Sequence, residues 1–139
     1  MMRLLVFDPG ETTGWSFLAD GKIIGGSFPL WEEVPELIVK HHPTVVLFEA
    51  FNLRANAAQR LIGSAFPTIQ VIGVIKYLTH EFGATLRYQS PSMRMGIYLR
   101  RLPGMDKHAR DAAKHGVRYL VKMGLSGPYE HYRVKRSDG

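Results

Sequence analysis

Leu4-Leu5-Val6-Phe7-Asp8-Pro9-Gly10 opens the regular structure of the chain. Its apolar run is too short for a helix and suits a strand buried on both faces. Asp8-Pro9-Gly10 then closes the run in a turn. A second run of this kind, Thr44-Val45-Val46-Leu47-Phe48, is β-branched and apolar and ends on Glu49. Between the two, Trp15 to Ala19 and Lys22 to Phe28 flank Asp20-Gly21, a strong hairpin signal. Trp31, Val34, Leu37 and Ile38 recur at helical spacing over 31–42, with Pro35 tolerable only in a first turn. Strand, hairpin, helix, strand is the beginning of an α/β domain.

Further along, 55–77 reads as mainly helical, with Pro67 breaking or kinking it before a second segment, 68–82. Ala84 to Tyr88 is short and extended. Ser90-Pro91 has the form of a helix start, and Leu102-Pro103-Gly104 that of a loop. Asp106 can cap a helix from Lys107 to Met123 that Gly124 ends. Strands joined by helical crossovers pair in parallel. The expected architecture is a mixed sheet flanked by helices on both faces. Residues 1–125 are expected to form one domain and 126–139 a basic, flexible tail.

The chain has 139 residues, enough for one core. With 45% apolar and 22% charged residues it has an ordinary globular composition. It contains no cysteine, which excludes disulfides, thiolate metal sites and cysteine nucleophiles. Lys and Arg number 18 against 12 Asp and Glu, for a net charge of +6, and such a balance suits a polyanionic partner. No apolar run is long enough to span a bilayer, and none resembles a secretory signal. A cytoplasmic location, in a bacterial or phage-infected cell, is expected.

Two of the expected buried strands end on carboxylates, Asp8 and Glu49. A carboxylate at the end of a buried strand needs a cation or dense hydrogen bonding to offset its desolvation. If the strands are neighbours, the acids stand side by side and a divalent cation relieves their repulsion. On the helix beginning at Lys107, His108 and Asp111 are three apart and share a face, beside a stripe of Ala112, Ala113, Val117, Leu120 and Val121. His115, a turn later on the same face, is either a further ligand or exposed, with exposure favoured, and Asp106 is read as the cap. Asp8, Glu49, His108 and Asp111 form an oxygen-rich set with one imidazole, suited to Mg²⁺ or Mn²⁺ rather than to structural zinc. Two such ions are the usual requirement of phosphodiester hydrolysis.

Val6-Phe7-Asp8-Pro9-Gly10-Glu11-Thr12-Thr13-Gly14-Trp15-Ser16 resembles the opening strand and turn of RuvC-type Holliday junction resolvases. Val45 to Glu49, followed by Phe51, is similar to their second acidic strand. His108-Ala109-Arg110-Asp111-Ala112 is similar to their closing helix. The resemblance runs from about residue 4 to 122 with its motifs in order. It implies an RNase H-like fold and a homodimer that nicks two strands of a four-way junction in Mg²⁺, leaving 5′-phosphate and 3′-hydroxyl ends. It carries Asp8, Glu49, His108 and Asp111 over as a catalytic, metal-binding tetrad, and Arg94 as a basic phosphate contact. It also brings Phe51 or Asn52 toward the junction centre. The chain is shorter than typical cellular members, which suits a short, phage-type version.

Arg54, Arg60, Arg94, Arg100, Arg101, Lys107 and Arg110 are further candidate DNA contacts, with Arg100-Arg101 the best pair and 132–136 a basic tail. The expected activity is metal-dependent endonuclease cleavage of branched DNA. The alternatives are a broader RNase H-like nuclease on branched DNA or RNA–DNA hybrids, and a non-catalytic junction-binding protein. The Asp8 turn also resembles the phosphate loop of actin-like ATPases, but these need a second large domain that this length does not supply.

Overall fold

The computed structural model describes residues 1–51 and 65–135. Leu4–Asp8 forms β1, Thr12–Ala19 β2 and Lys22–Pro29 β3. Asp20 and Gly21 take φ values of 53° and 74°, the left-handed pair that a two-residue hairpin loop of this twist requires. Val34–His41 is α1, and it begins later than the periodicity suggests because residues 31–33 form a turn that places Pro35 at the helix start. Val45–Glu49 is β4, Ala65–Phe82 α2 and Thr85–Gln89 β5. Lys107–Met123 is α3. Pro67 lies in the first turn of α2, where a proline is tolerated, and the expected second segment follows it to Phe82. The expected helical stretch upstream of residue 65 falls outside the described residues.

The strands form one sheet in the order β3-β2-β1-β4-β5. The hairpin pairs antiparallel onto β1, and β1, β4 and β5 run parallel. Side chains alternate across this sheet and divide the core in two. Leu4, Val6, Leu18, Val45 and Leu47 pack against Ala112, Ala113, Val117 and Leu120 of α3. Leu5, Phe7, Phe17, Val46 and Phe48 pack against Val34, Leu37 and Ile38 of α1 and Val71 and Ile75 of α2. Each fully buried side chain of this size is worth roughly 1.5–3 kcal/mol. The expected mixed sheet with helices on both faces is the observed one.

Two expectations fail in detail. Ser90-Pro91 opens only a 3₁₀ turn, Pro91–Arg94, because Gly96 follows at a φ of 85° and the Ser90 hydroxyl bonds Ser92 instead of capping. The expected flexible tail is tied down as far as Val134. Gly127–Tyr132 is a 3₁₀ turn whose Tyr129 is buried in the α3-side core. Arg100 and Val134 donate backbone hydrogen bonds to Tyr132 and Tyr98. The aromatic side chains, passed over beside the surrounding charge, anchor this segment. Among the described residues no helix is long and apolar enough to cross a membrane.

Candidate active site

Register and alternation fix the first two acids. Phe7 of β1 lies opposite Phe48 of β4, so the next residues, Asp8 and Glu49, end adjacent parallel strands. Each is two residues beyond a core side chain, Val6 or Leu47, that faces α3, and each faces the same way. Their carboxyl groups are close enough for Glu49 to help raise the Asp8 pKa. The carboxyl ends of parallel strands are where α/β sheets place ligands.

The third acid comes from α3. Asp106 caps this helix, with Oδ1 accepting from the Ala109 N–H at 2.9 Å and Oδ2 accepting from the Ser27 hydroxyl at 2.5 Å. Those two donors hold the Asp106 carboxyl below its usual range and tie the helix start to β3. Gly14, opposite Asp8 in the ladder, lets the first turn of α3 lie directly on β2. A Cβ at this position would collide with the His108 carbonyl. The helix is thereby held close enough for Asp111 to reach the strand ends, where its side chain is only 12% exposed.

Asp8, Glu49, His108 and Asp111 line one cleft of about 410 Å³ with Pro9, Gly10, Glu11, Thr12, Arg94 and Lys107. A larger groove of about 650 Å³ lies between α1 and α2, but its lining holds no carboxylate, imidazole or basic group. The smaller cleft is the one that gathers the acidic, basic and imidazole side chains. Arg94 spans the acids, with Nη1 3.3 Å from Asp111 Oδ2 and Nε 3.7 Å from Glu49 Oε1. Burial pushes the Asp8 carboxyl up to about 8, helped by the negative charges of Glu49 and Asp111. At neutral pH a proton on Asp8 and the guanidinium of Arg94 thus balance the clustered acids.

His115 corrects the sequence reading. It is fully buried rather than exposed, and its Nε2 stands 3.6 Å from Glu49 Oε1. Desolvation drives its pKa down to about 4, against the pull of Asp8 and Asp111, so the ring is neutral at pH 7. The contact is one of dipole to charge, not an ion pair. Its position one turn from Asp111, within the apolar stripe, was the signal that should have placed it inside. His108, in the first turn of α3, is exposed at the cleft mouth.

The clustered carboxylates are hard oxygen donors of the kind Mg²⁺ and Mn²⁺ prefer, and the protonated Asp8 is what three crowded acids require without a cation. The donor set fits such an ion. Among the described residues no three of these groups yet stand within joint reach of one point. Arg94 lies between Glu49 and Asp111 and pairs with both.

Of the candidate DNA contacts, Lys107 and Arg94 line the cleft. Arg100, Arg101 and Arg110 are exposed, and Phe51 is half-buried just past β4. Asn52, Arg54, Arg60 and Arg136 lie outside the described residues.

No family model matches the sequence, and no curated protein matches it. Solved structures do. The RuvC of Thermus thermophilus is 17% identical, covering 89% of this chain and 98% of its own, with a TM-score of 0.67. The T. thermophilus RuvC in complex with a Holliday junction substrate is 16% identical, covering 90% and 98%, with a TM-score of 0.65. YeaZ from Pseudomonas aeruginosa is 16% identical over 68% of this chain and 46% of its own, with a TM-score of 0.50. The chain therefore has the RuvC-type, RNase H-like fold, over almost the whole length of the two RuvC chains.

Proposed function

We infer that the protein is a divalent-cation-dependent endonuclease that resolves four-way DNA junctions. The observation that carries this reading is the meeting of Asp8, Glu49 and Asp111, distant in sequence, in one cleft bordered by Lys107 and Arg94. Acids to hold cations, set among basic groups to hold phosphates, are the charge arrangement that phosphodiester cleavage calls for. The shared fold with a RuvC solved on a Holliday junction supports branched DNA as the substrate.

Asp8, Glu49, Asp111 and the exposed His108 are the groups that would hold Mg²⁺ or Mn²⁺, as two ions in this reading. Bound there, the ions would generate a water-derived nucleophile at neutral pH and stabilise the leaving 3′ oxygen, leaving a 5′-phosphate. The protein's own groups position the DNA. Lys107 and Arg94 contact phosphates beside the scissile bond, while Arg100, Arg101 and Arg110 hold the arms. Phe51 approaches the junction centre. Resolving a junction takes two incisions related by symmetry, and a homodimer supplies two clefts in that relation. Such work belongs to the cytoplasm of a bacterial or phage-infected cell.

Labelled four-way junction, Y-fork, RNA–DNA hybrid and linear duplex, each incubated with the protein in Mg²⁺, test the reading. Paired nicks in the junction, with duplex left intact, are expected. Equal cutting of duplex would remove the junction selectivity. Cutting of nothing in Mg²⁺ or Mn²⁺, with junction still bound, would leave a binding protein only.

A further inference from the structure

His115 has no exposed surface, and among the described residues neither of its ring nitrogens has a hydrogen-bond partner. A histidine kept in a core for its shape alone leaves two polar atoms unmatched where an apolar ring would leave none. The backbone that carries this ring is held on two sides. Gln89, which pairs with Glu49 at the strand ends, donates from Nε2 to the His115 carbonyl at 3.0 Å. Gly116, the next residue, lets α3 press onto Leu18 and Val6. So fixed, Nε2 points at Glu49 Oε1 from 3.6 Å, the same oxygen that Arg94 Nε approaches to 3.7 Å from the cleft. His115 is not part of the cleft lining. It stands behind Glu49, with the reactive space on the far side of that carboxylate.

We propose that His115 is a positioning residue, whose Nε2–H closes the 3.6 Å to Glu49 Oε1 when a divalent cation binds and holds this carboxylate turned toward the cleft to meet the ion with Asp8 and Asp111. The proposal rests on the cation-dependent reading above. Groups that orient a metal-binding carboxylate in this way typically carry a 10- to 100-fold effect on metal affinity, on the order seen for outer-sphere partners generally. The contact requires no titration of the ring, only its placement.

The test is Mn²⁺ binding by calorimetry to the full chain without DNA, for wild type, His115→Phe and His115→Gln. The phenylalanine keeps the ring volume and removes the N–H, while glutamine returns a donor near the Nε2 position. Expected is a loss of about tenfold in affinity for His115→Phe and recovery of most of it in His115→Gln. In junction cleavage the Mg²⁺ needed for half-maximal rate rises correspondingly, while the rate at saturating Mg²⁺ stays near that of wild type. A folded His115→Phe that binds Mn²⁺ like wild type overturns the proposal and leaves the nuclease reading standing. Wild type that binds no Mn²⁺ overturns the nuclease reading, and this proposal with it. Should His115→Phe not fold, ¹⁵N NMR of histidine-labelled wild type decides. The proposal expects the proton on Nε2, retained on adding Mg²⁺. A proton on Nδ1, or an Nε2 that loses its proton to the metal, overturns it.

Discussion

Asp8 and Glu49 end adjacent parallel strands and bring their carboxyl groups together at the edge of the core, where Glu49 adds to burial in raising the Asp8 pKa. This pairing ties the sheet register to the chemistry. A one-residue slip between β1 and β4 would turn one acid to the α1 and α2 face. It also makes the cleft sensitive to pH and to cations.

The Asp8 carboxyl is raised in the folded chain, chiefly by burial, from its ordinary 3.8 to about 8. A raised acid contributes stability that is complete below the unfolded value and is lost as pH rises through the folded one. Without divalent cations, thermal stability should therefore fall between about pH 4 and pH 8 on account of Asp8. His115 works in the opposite direction. Its pKa is lowered from 6.5 to about 4, so its contribution is complete above 6.5 and lost on acidification toward 4. Melting in chelator across this range should show a decline on the alkaline side that Asp8→Asn removes. Mg²⁺ should raise the melting temperature more at pH 8 than at pH 5, and an equal rise at both would contradict the assignment.

Arg94 competes for the position of a cation. Its guanidinium reaches both Glu49 and Asp111, so Arg94→Gln should tighten Mn²⁺ binding several-fold by removing a like charge from the acids. The same variant should cut junction DNA more slowly, because a phosphate contact is gone. Calorimetry and cleavage rates measured on one preparation check the opposed signs. Loss of both together would mean that Arg94 serves the fold instead.

Gly14 sets the distance between α3 and the strand ends. Gly14→Ala places a methyl group against the His108 carbonyl, and the helix must shift. A destabilisation of about 1–3 kcal/mol in urea unfolding is expected, as for other overpacked sites. Cleavage should fall further than the folded fraction does, since Asp111 moves with the helix. Activity that tracks the folded fraction would show that the cleft tolerates the shift.

Arg100 and Arg101 are exposed next to the loop at Leu102-Pro103-Gly104. Replacing both with Ala should weaken junction binding and flatten the plot of log affinity against log salt by about 1–2, as two phosphate contacts release fewer counterions. An unchanged slope would exclude the pair from the interface.

Much of this arrangement was legible in the sequence. Apolar runs that end on Asp8 and Glu49 marked buried parallel strands, Asp20-Gly21 marked the hairpin, and Asp106 and Gly124 marked the ends of α3, because each signal is local. What escaped depends on neighbours brought in by folding. The apolar stripe of α3 already pointed to the burial of His115, whereas the contact of Gln89 with its carbonyl depends on the strand order. Tyr129 and Tyr132 were hidden among charged residues, yet Tyr129 enters the core and the Tyr132 hydroxyl accepts a 3.4 Å bond from the Ile23 N–H. Arg94, expected as a phosphate contact, faces the acids themselves, a position set by the 3₁₀ turn at Pro91–Arg94.

In the proposed function Asp8 acts in cleavage and not in holding DNA. Single-turnover cleavage and equilibrium binding of one labelled four-way junction, compared for wild type and Asp8→Asn in Mg²⁺, test it most directly. Cleavage by the variant should fall by about a thousandfold or more, since several kcal/mol of transition-state stabilisation depend on the cation and each 1.4 kcal/mol is about tenfold. Junction affinity should stay within a few-fold of wild type. Undiminished cleavage by Asp8→Asn, or loss of binding in step with loss of cutting, would contradict the account.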